Sequence, residues 1–164
     1  MEIVPLTDED RLAVRMLEVA CIREYAEVTL GLDWNNDLPK ETRDCLGASA
    51  PKSFGYYRDS ALSFVAKEGG QVVGVIFSQM LHWIDSVENV AWVENICVGE
   101  EYRRMGVGYL LMRHLAQEAK KQGAQIIQSS IGLKNIPSLM LHRKLNFLGE
   151  DRKIATLDLS TFKG

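Results

Sequence analysis

Two groups of residues within one stretch of the chain have the types and the spacing to do chemistry. The first is Glu94, a carboxylate inside the otherwise apolar run Val90–Val98. The second is an arginine pair followed by two glycines, Arg103-Arg104-Met105-Gly106-Val107-Gly108. Glycine lets the backbone approach a phosphate closely, and arginine places positive charge beside it. The stretch therefore predicts an anion-binding turn next to a strand that carries an acid.

The elements around these residues are a strand and a helix. Val90–Val98 is rich in Val, Ile and Trp, which favours a strand, and an amphipathic helix is predicted from about Gly106 to Lys121, with Gly123 at its C-terminal cap. A helix that starts at the glycines directs its free N–H groups at the turn, where an anion can bind. A Rossmann site needs a third glycine and a P-loop needs G-x-x-x-x-G-K-[ST], and neither pattern occurs. Arg103–Gly108, called the cradle below, is therefore predicted to bind a pyrophosphate of another ligand.

The pattern R-x-x-G-x-G after a strand resembles the GNAT superfamily of acetyl-CoA-dependent N-acetyltransferases. A second motif follows, because the run Asn135–Phe147 resembles the family's N-x-x-A-x-x-L-Y-x-K-x-G-F. The resemblance covers roughly residues 71–159 and has both motifs in the family's order. It implies a single α/β domain over residues 1–164, with a mixed, mostly antiparallel central sheet, a splayed central strand and helices on both faces.

The resemblance also implies that acetyl-CoA is the cosubstrate and that no metal is used. Main-chain groups of the central strand would pair with the pantetheine, while the cradle and the second motif would hold the rest of the molecule. The residues implied to contact acetyl-CoA are Ile96, Cys97, Val98, Arg103, Arg104, Met105, Gly106, Val107, Gly108, Tyr109, Asn135, Ser138 and Lys144. Cys97 is interpreted as a small apolar strand residue rather than a nucleophile, because the sequence places no histidine beside it.

Acetyl transfer requires a neutral amine to attack the thioester, so a base must remove a proton from the amine. Glu94 is the candidate, since a carboxylate inside an apolar strand needs a reason and its segment resembles the strand of polyamine acetyltransferases. The alternative is a Glu94 that pairs with a nearby arginine or faces solvent. His142 stands where the family has the tyrosine that protonates the leaving thiolate. The alternative for His142 is a packing role, with the thiolate taking its proton from water.

Residues 31–60 correspond to the part of the family that varies most and builds the acceptor pocket. Asp33, Trp34, Tyr56 and Tyr57 are therefore the candidate substrate-binding residues. The alternative is that the aromatic side chains only pack this segment onto the domain.

The rest of the chain supplies the expected framework. A first strand at Met1–Leu6 is followed by a helix that starts with the capping pair Thr7 and Asp10 and ends near Gly31. Three antiparallel strands are expected at 61–66, 71–83 and 90–98, separated by a tight turn at 68–70 and a turn at 85–89; a short helix is expected at 40–46, a further strand at 125–131 and a closing strand at 152–159. One face of this helix carries Leu12, Met16, Val19, Ala20 and Arg23, and the apolar part of that face is interpreted as core.

Composition and charge are those of a globular protein, with 46% hydrophobic residues, 25% charged residues and a formal net charge of -3. This charge gives no electrostatic footprint for duplex nucleic acid. Cys21, Cys45 and Cys97 are widely spaced, which indicates reduced thiols. No apolar run has the length of a membrane span, and the N-terminus lacks a signal-peptide core. We expect a cytoplasmic protein with no nucleic-acid or membrane partner, and a homodimer.

The expected function is transfer of an acetyl group from acetyl-CoA to a primary amine of a small molecule or peptide. The acceptors left open are a small amine, an aminoglycoside, an amino acid and a protein N-terminus, and a longer acyl group is also left open. The alternative is a catalytically silent acyl-CoA-binding regulatory domain. The replacement of the family's tyrosine by His142 favours that alternative.

Overall fold

The computed structural model describes residues 1–151, 155–157 and 159, and five strands of this part form one sheet in the order β1-β2-β3-β4-β5. The strands are β1 Glu2–Pro5, β2 Phe64–Glu68, β3 Gln71–Ile84, β4 Val87–Val98 and β5 Ile126–Ser129. Successive strands pair antiparallel except for β4 and β5, which run parallel. The expected mixed, mostly antiparallel sheet is therefore confirmed.

Helices connect and cover these strands. They are α1 Arg11–Glu24, α2 Lys40–Cys45, α3 Phe54–Asp59, α4 Val107–Lys121 and α5 Ile136–Lys144, with a π-helical turn Tyr25–Thr29 that extends α1 and short 3-10 turns at Asp8–Asp10 and Glu100–Tyr102. The backbone N–H of Thr7 donates to Asp10 Oδ2 at 3.1 Å, which confirms the predicted capping pair. Gly31 follows the π-helical turn with φ +70°, a conformation that glycine adopts without strain.

The sheet has a packed core on each face. On one face α4 contributes Val107, Leu111, Met112, Leu115 and Ala119, which pack on strand residues such as Phe64, Ile76 and Val93. On the other face Val14 of α1 packs with Phe54 and Tyr57 of α3 against Val65, Val75, Phe77 and Cys97. Helices therefore cover both faces, as the resemblance implied.

The prediction of which face of α1 packs on the core is wrong. Leu12 and Met16 are 73% and 67% exposed. The residues that face the sheet are Val14, Leu17, Glu18 and Cys21, which are spaced as one helical face. The face that packs on the sheet includes Glu18, whose carboxylate is completely buried, so a pattern of apolar residues alone does not identify it.

Three further expectations from the sequence can be compared with the structure. β4 begins at Val87, so the turn expected at 85–89 is shorter; it is formed by Asp85 and Ser86, with φ +50° and +67°. Asn146 replaces the family's glycine and adopts φ +60°, which asparagine tolerates better than most residues. The closing strand expected at 152–159 falls largely outside the described residues, and the described part of it, 155–157 and 159, forms no strand.

Candidate active site

The sheet opens between β4 and β5. Their parallel pairing covers Val90–Val93 with Ile126–Ser129, after which β5 ends and β4 continues to Val98. Main-chain groups of β4 beyond Val93 therefore do not pair with β5, as the splayed strand of the resemblance requires, although the Val98 carbonyl accepts from Arg103 Nε. A groove of this kind can pair with an extended ligand through backbone hydrogen bonds.

A bulge lies at the point of opening. Phe77 of β3 pairs with Asn95 and Ser78 pairs with Val93, so Glu94 is an extra residue in β4. Ala91 and Val93 face α4 before the bulge, and Ile96 and Val98 face α4 after it. The alternation of β4 is therefore reversed, and Glu94 and Asn95 both project toward the α1 side of the sheet.

Glu94 is exposed, and the indole N–H of Trp92 and the hydroxyl of Tyr57 lie beside its carboxylate. The indole Nε1 of Trp92 donates to Glu94 Oε2 at 3.0 Å. Burial raises the pKa of Tyr57 well above its ordinary value, and the negative charge of Glu94 and a hydrogen bond with it add to that rise. The Tyr57 hydroxyl therefore stays protonated and lies beside the Glu94 carboxylate. Of the alternatives considered for Glu94, an arginine partner is absent from the described ion pairs, and the side chain reaches solvent.

Tyr56 and Tyr57 lie together, with ring centroids 5.3 Å apart and edge to face. The Tyr56 hydroxyl hydrogen-bonds the Gln79 side chain of β3. Asp33 instead closes its own turn, accepting the backbone N–H groups of Asn35 and Asn36 at 2.9 Å. These hydrogen bonds, with that of Asn36 first, lower the pKa of Asp33.

Trp34 is buried and lines a cavity of about 310 Å³ between α1 and α2, together with Arg15, Val19, Lys40, Arg43 and Asp44. Of the four candidate substrate-binding residues, the structure therefore joins only the tyrosine pair to Glu94.

His142 is 5% exposed, and both of its ring nitrogens are hydrogen-bonded. Nδ1 lies 2.8 Å from the carbonyl oxygen of Ser138, which can only accept, so Nδ1 carries a proton. Nε2 lies 2.8 Å from Ser129 Oγ. Ser129 is half-buried and is the last residue of β5 to pair with β4. His142 therefore reaches the opening of the sheet through Ser129, a residue that the sequence reasoning missed.

The cradle follows β4 and ends where α4 begins. Gly106 has φ +88° and Arg104 has φ +61°, so the chain reverses sharply and brings the first N–H groups of α4 to the surface. A Cβ on Gly108 would lie 3.3 Å from Leu141 Cδ2 and 3.7 Å from Val98 Cγ2. Gly108 therefore sits in a narrow space between β4 and α5, whereas Gly106 is required for its backbone conformation. Met105 is exposed and Val107 is buried.

The two arginines of the cradle have different surroundings. Arg103 forms two hydrogen bonds with Glu24 of α1, one of them at 2.7 Å, and its Nε donates to the Val98 carbonyl at 3.2 Å. The hydrogen bond with Arg103 lowers the pKa of Glu24. Arg104 is exposed, and among the described residues it has no recorded hydrogen-bond or ion-pair partner. Arg104 is therefore the cradle cation that is free to meet an anion.

The second motif contributes contacts at the start and end of α5. Asn135 Oδ1 accepts the backbone N–H of Ser138 at 3.2 Å, which confirms the predicted helix cap. Lys144 Nζ lies 5.0 Å from the centre of the Tyr109 ring on α4. The motif thus ties α5 to the helix that starts at the cradle.

Cys21 and Cys97 form a pair on the α1 side of β4. The hydrogen bond with Cys97 lowers the pKa of Cys21 to about 7, with a smaller contribution from the positive charge of Arg103. The same hydrogen bond and complete burial raise the pKa of Cys97. Cys97 is therefore a protonated donor behind the strand, consistent with a packing residue rather than a nucleophile.

This pair leads to a prediction on thiol reactivity. Because the pKa of Cys21 is lowered, its thiolate dominates above pH 7, and we expect iodoacetamide to modify Cys21 with a rate that rises through an apparent pKa of about 7. Cys97→Ala removes the donor and should move this apparent pKa toward the ordinary value for cysteine. The measurement is peptide mass spectrometry after timed alkylation in a Cys45→Ser background. An identical pH profile with and without Cys97 would contradict the pairing.

No helix in the part of the chain described here has both the length and the apolar composition needed to cross a membrane.

Comparison with known proteins gives one family and several relatives. The model of the family described as "Protein of unknown function (DUF1999)" matches residues 1–164. A protein of Methanocaldococcus jannaschii named as an uncharacterized N-acetyltransferase is 29% identical over 92 residues, which are 55% of this chain and 40% of that protein. An N-alpha-acetyltransferase of Sulfurisphaera tokodaii is 28% identical over 111 residues, 59% of this chain and 66% of that protein. The chain thus spans less than two thirds of the length of these relatives.

Among solved structures, the aminoglycoside N-acetyltransferase AAC(6')-Iy in complex with CoA has a TM-score of 0.71 at 18% identity, over 96% of this chain and 94% of that chain. This likeness shows the fold. The fold that the sequence resemblance implied is therefore confirmed. The chain has the GNAT fold and belongs to the DUF1999 family, whose model it matches from its first residue to its last.

Proposed function

We propose that the protein is an N-acetyltransferase that transfers the acetyl group of acetyl-CoA to a primary amine. The observation that carries the proposal is the bulge at Glu94, which puts a carboxylate at the point where β4 parts from β5, with the cradle at the end of the same strand. The names of the relatives support it, since they are N-acetyltransferases. The buried and oriented His142–Ser129 pair favours an enzyme over the catalytically silent alternative.

The residues at the opening fit acetyl-CoA. The main chain of Ile96–Val98 faces the space beyond Ser129. The first N–H groups of α4 and the free Arg104 side chain suit a pyrophosphate. Gly108 has no side chain to fill the narrow space between β4 and α5. When bound, acetyl-CoA supplies the acetyl thioester. Arg103 is engaged with Glu24, so its role is to fasten the cradle to α1 rather than to meet the phosphates directly.

Glu94 is proposed as the base. An alkylamine has a pKa near ~10.4, so presenting it unprotonated at pH 7 costs about 4–5 kcal/mol. The exposed carboxylate can accept that proton directly or through a water molecule. The Tyr57 hydroxyl lies beside the same carboxylate, and the Tyr56 ring packs edge to face on Tyr57, so these rings are proposed to line the acceptor side.

Ser129 and His142 are proposed to return a proton to the leaving sulfur. Ser129 Oγ gives its proton at the opening, and His142 Nε2, when protonated, replaces that proton along the 2.8 Å hydrogen bond. The Ser138 carbonyl holds Nδ1 and so fixes which nitrogen faces Ser129. This arrangement allows a buried histidine to take the part that the family's tyrosine has in the cleft.

The histidine prediction can be tested with three variants. We expect His142→Phe and Ser129→Ala each to lower kcat by about 10-fold to 100-fold, because either one interrupts the proton path. His142→Tyr should retain or raise activity, because a phenol hydroxyl can donate at this position. Ser130→Ala, an exposed neighbour, is the control. Parent-like kcat in both His142→Phe and Ser129→Ala would leave His142 with a packing role only.

The function itself is tested by thiol release from acetyl-CoA in the presence of a panel of amines. The panel contains a polyamine, an aminoglycoside, an amino acid and a peptide with a free N-terminus, and product mass identifies the acetylated nitrogen. Acetylated product from at least one amine is the expected result. Tight CoA binding by calorimetry together with no product from any amine would favour the regulatory alternative.

The remaining proposals concern the setting of the protein. A cytoplasmic location is supported by the three free cysteines, which suit a reducing compartment. Homodimer formation is a further proposal, and sedimentation equilibrium measures it.

A further inference from the structure

Glu18 has a completely buried carboxylate that takes no part in the chemistry proposed above. Its recorded partners in the described chain are four hydrogen-bond donors. Oε1 accepts from Ala48 N at 3.0 Å and from Asn95 Nδ2 at 2.8 Å, while Oε2 accepts from Ser49 N at 2.7 Å and from Ser49 Oγ. Because every partner donates, the site is built for a carboxylate acceptor.

This carboxylate joins three separate parts of the chain. Glu18 belongs to α1, Ala48 and Ser49 to the loop between α2 and α3, and Asn95 to the bulge of β4. Gly47 has φ +84°, and a Cβ there would lie 2.5 Å from Glu18 Oε2. The loop can therefore reach the carboxylate only with glycine at this position, so Gly47 and Glu18 act together.

The contact with Asn95 has a direct consequence for Glu94. The bulge directs these two consecutive side chains to the same side of the sheet, so a change in the backbone of the bulge alters the direction of both. Asn95 is held by Glu18, whereas Glu94 is exposed and, among the described residues, has the Trp92 indole and the Tyr57 hydroxyl beside its carboxylate. The position of Asn95 therefore bears directly on the direction of the Glu94 side chain.

We infer that Glu18 is a positioning residue, which holds Asn95 so that the bulge presents Glu94 to the amine and ties this geometry to the loop Gly47–Ser49. The inference rests on the proposed function. Stability alone is a poor reason for Glu18, because burying a carboxylate is costly and an apolar side chain fills such a place as well or better. The carboxylate instead supplies four acceptor positions that orient their donors.

The kinetic test is a double-mutant cycle with Glu18→Gln and Asn95→Ala. We expect each variant to lower kcat by about 10-fold with KM for acetyl-CoA unchanged, and the double variant to be no slower than either single variant, because both break the same link. Ser49→Ala is the matched control, since it removes a hydrogen bond from the other oxygen. It should lower Tm while kcat stays at the parent value.

A purely structural Glu18 predicts a different pattern. The losses of the two single variants would then multiply in the double variant, or kcat would remain at the parent value while Tm fell as in Ser49→Ala. Either result overturns the inference. Asn95→Ala leaves Glu18 and its other three donors in place, so the test stands even where Glu18→Gln does not fold.

A second measurement on the protein without ligand separates this inference from the proposed function. We expect the backbone amides at 93–97 to exchange with solvent at least about tenfold faster in Glu18→Gln and Asn95→Ala, and at the parent rate in Ser49→Ala. If the parent releases no thiol with any amine, the acetyltransferase proposal fails while this readout still tests the anchoring of the bulge. Unchanged exchange in both variants would show that Glu18 does not hold the bulge.

Discussion

Glu94→Gln should lower kcat/KM by about 100-fold or more while leaving the affinity for CoA unchanged. The amide keeps the size of the side chain and its contact with Trp92, but it cannot accept the proton of the amine. A 100-fold loss corresponds to about 2.7 kcal/mol of transition-state stabilisation. The loss should shrink as pH rises, because more of the amine is then unprotonated without help. The measurement is a pH series of steady-state kinetics from pH 6 to 9.

Glu88→Gln is the matched control for this experiment. Glu88 is an exposed acid on the same strand, and its replacement removes the same charge at a distance from the bulge. We expect it to leave kcat/KM within about twofold of the parent. A Glu94→Gln enzyme as active as the parent across the whole pH range would remove the base assignment.

Gly108→Glu should raise the Kd for CoA by about 100-fold or more, as measured by isothermal titration calorimetry. The new side chain has to enter the narrow space bounded by Leu141 and Val98, and it brings a negative charge to the α4 N-terminus where the pyrophosphate is expected. Leu110→Glu is the control, because it adds the same charge to the same helical turn at a partly exposed position. A folded Gly108→Glu protein with parent affinity for CoA would falsify the prediction that the cradle binds the pyrophosphate.

We expect substitutions of the two cradle arginines to affect CoA affinity differently in the same titrations. Arg104→Asn removes the free cation but tolerates φ +61°, so we expect about a tenfold weaker affinity for CoA. Arg103→Ala breaks the ion pair with Glu24, so its main effect should be a lower Tm. The reverse outcome, with affinity lost only in Arg103→Ala, would show that Arg103 leaves Glu24 when CoA binds.

The parts that could be predicted from the sequence are those that depend on local patterns. The strand, the cradle and α4 are contiguous, and their signals are alternating apolar residues, glycines and a helical stripe. The capping pair of Thr7 and the cap at Asn135 were predictable for the same reason, because donor and acceptor lie three residues apart.

The parts that could not be predicted depend on contacts between distant residues. Glu18 is inward because donors 30, 31 and 77 residues away surround it, and no local pattern reveals them. The same applies to Arg103, whose partner Glu24 lies 79 residues away. Ser129 could not be predicted as a site residue because its partner His142 lies 13 residues away on α5. A buried polar residue is thus the point at which pattern reading fails, since its orientation follows from its partners rather than from its own character.

The extra residue in β4 also matters for anyone who aligns or transplants this strand. Residues up to Val93 and from Asn95 onward follow opposite alternations, so the two halves cannot be treated as one repeating pattern. Deleting Glu94 would restore a uniform alternation in which Val93, Ile96 and Val98 still face α4, so the strand would lose the bulge and its acid without turning these residues. An alignment to a strand without the bulge that leaves out the gap at Glu94 would assign Ile96 and Val98 to columns of residues that face away from α4. The reversal of side-chain alternation in β4 therefore depends on one extra residue, and we expect an insertion or deletion at the bulge to change the site more than a single substitution elsewhere in the strand.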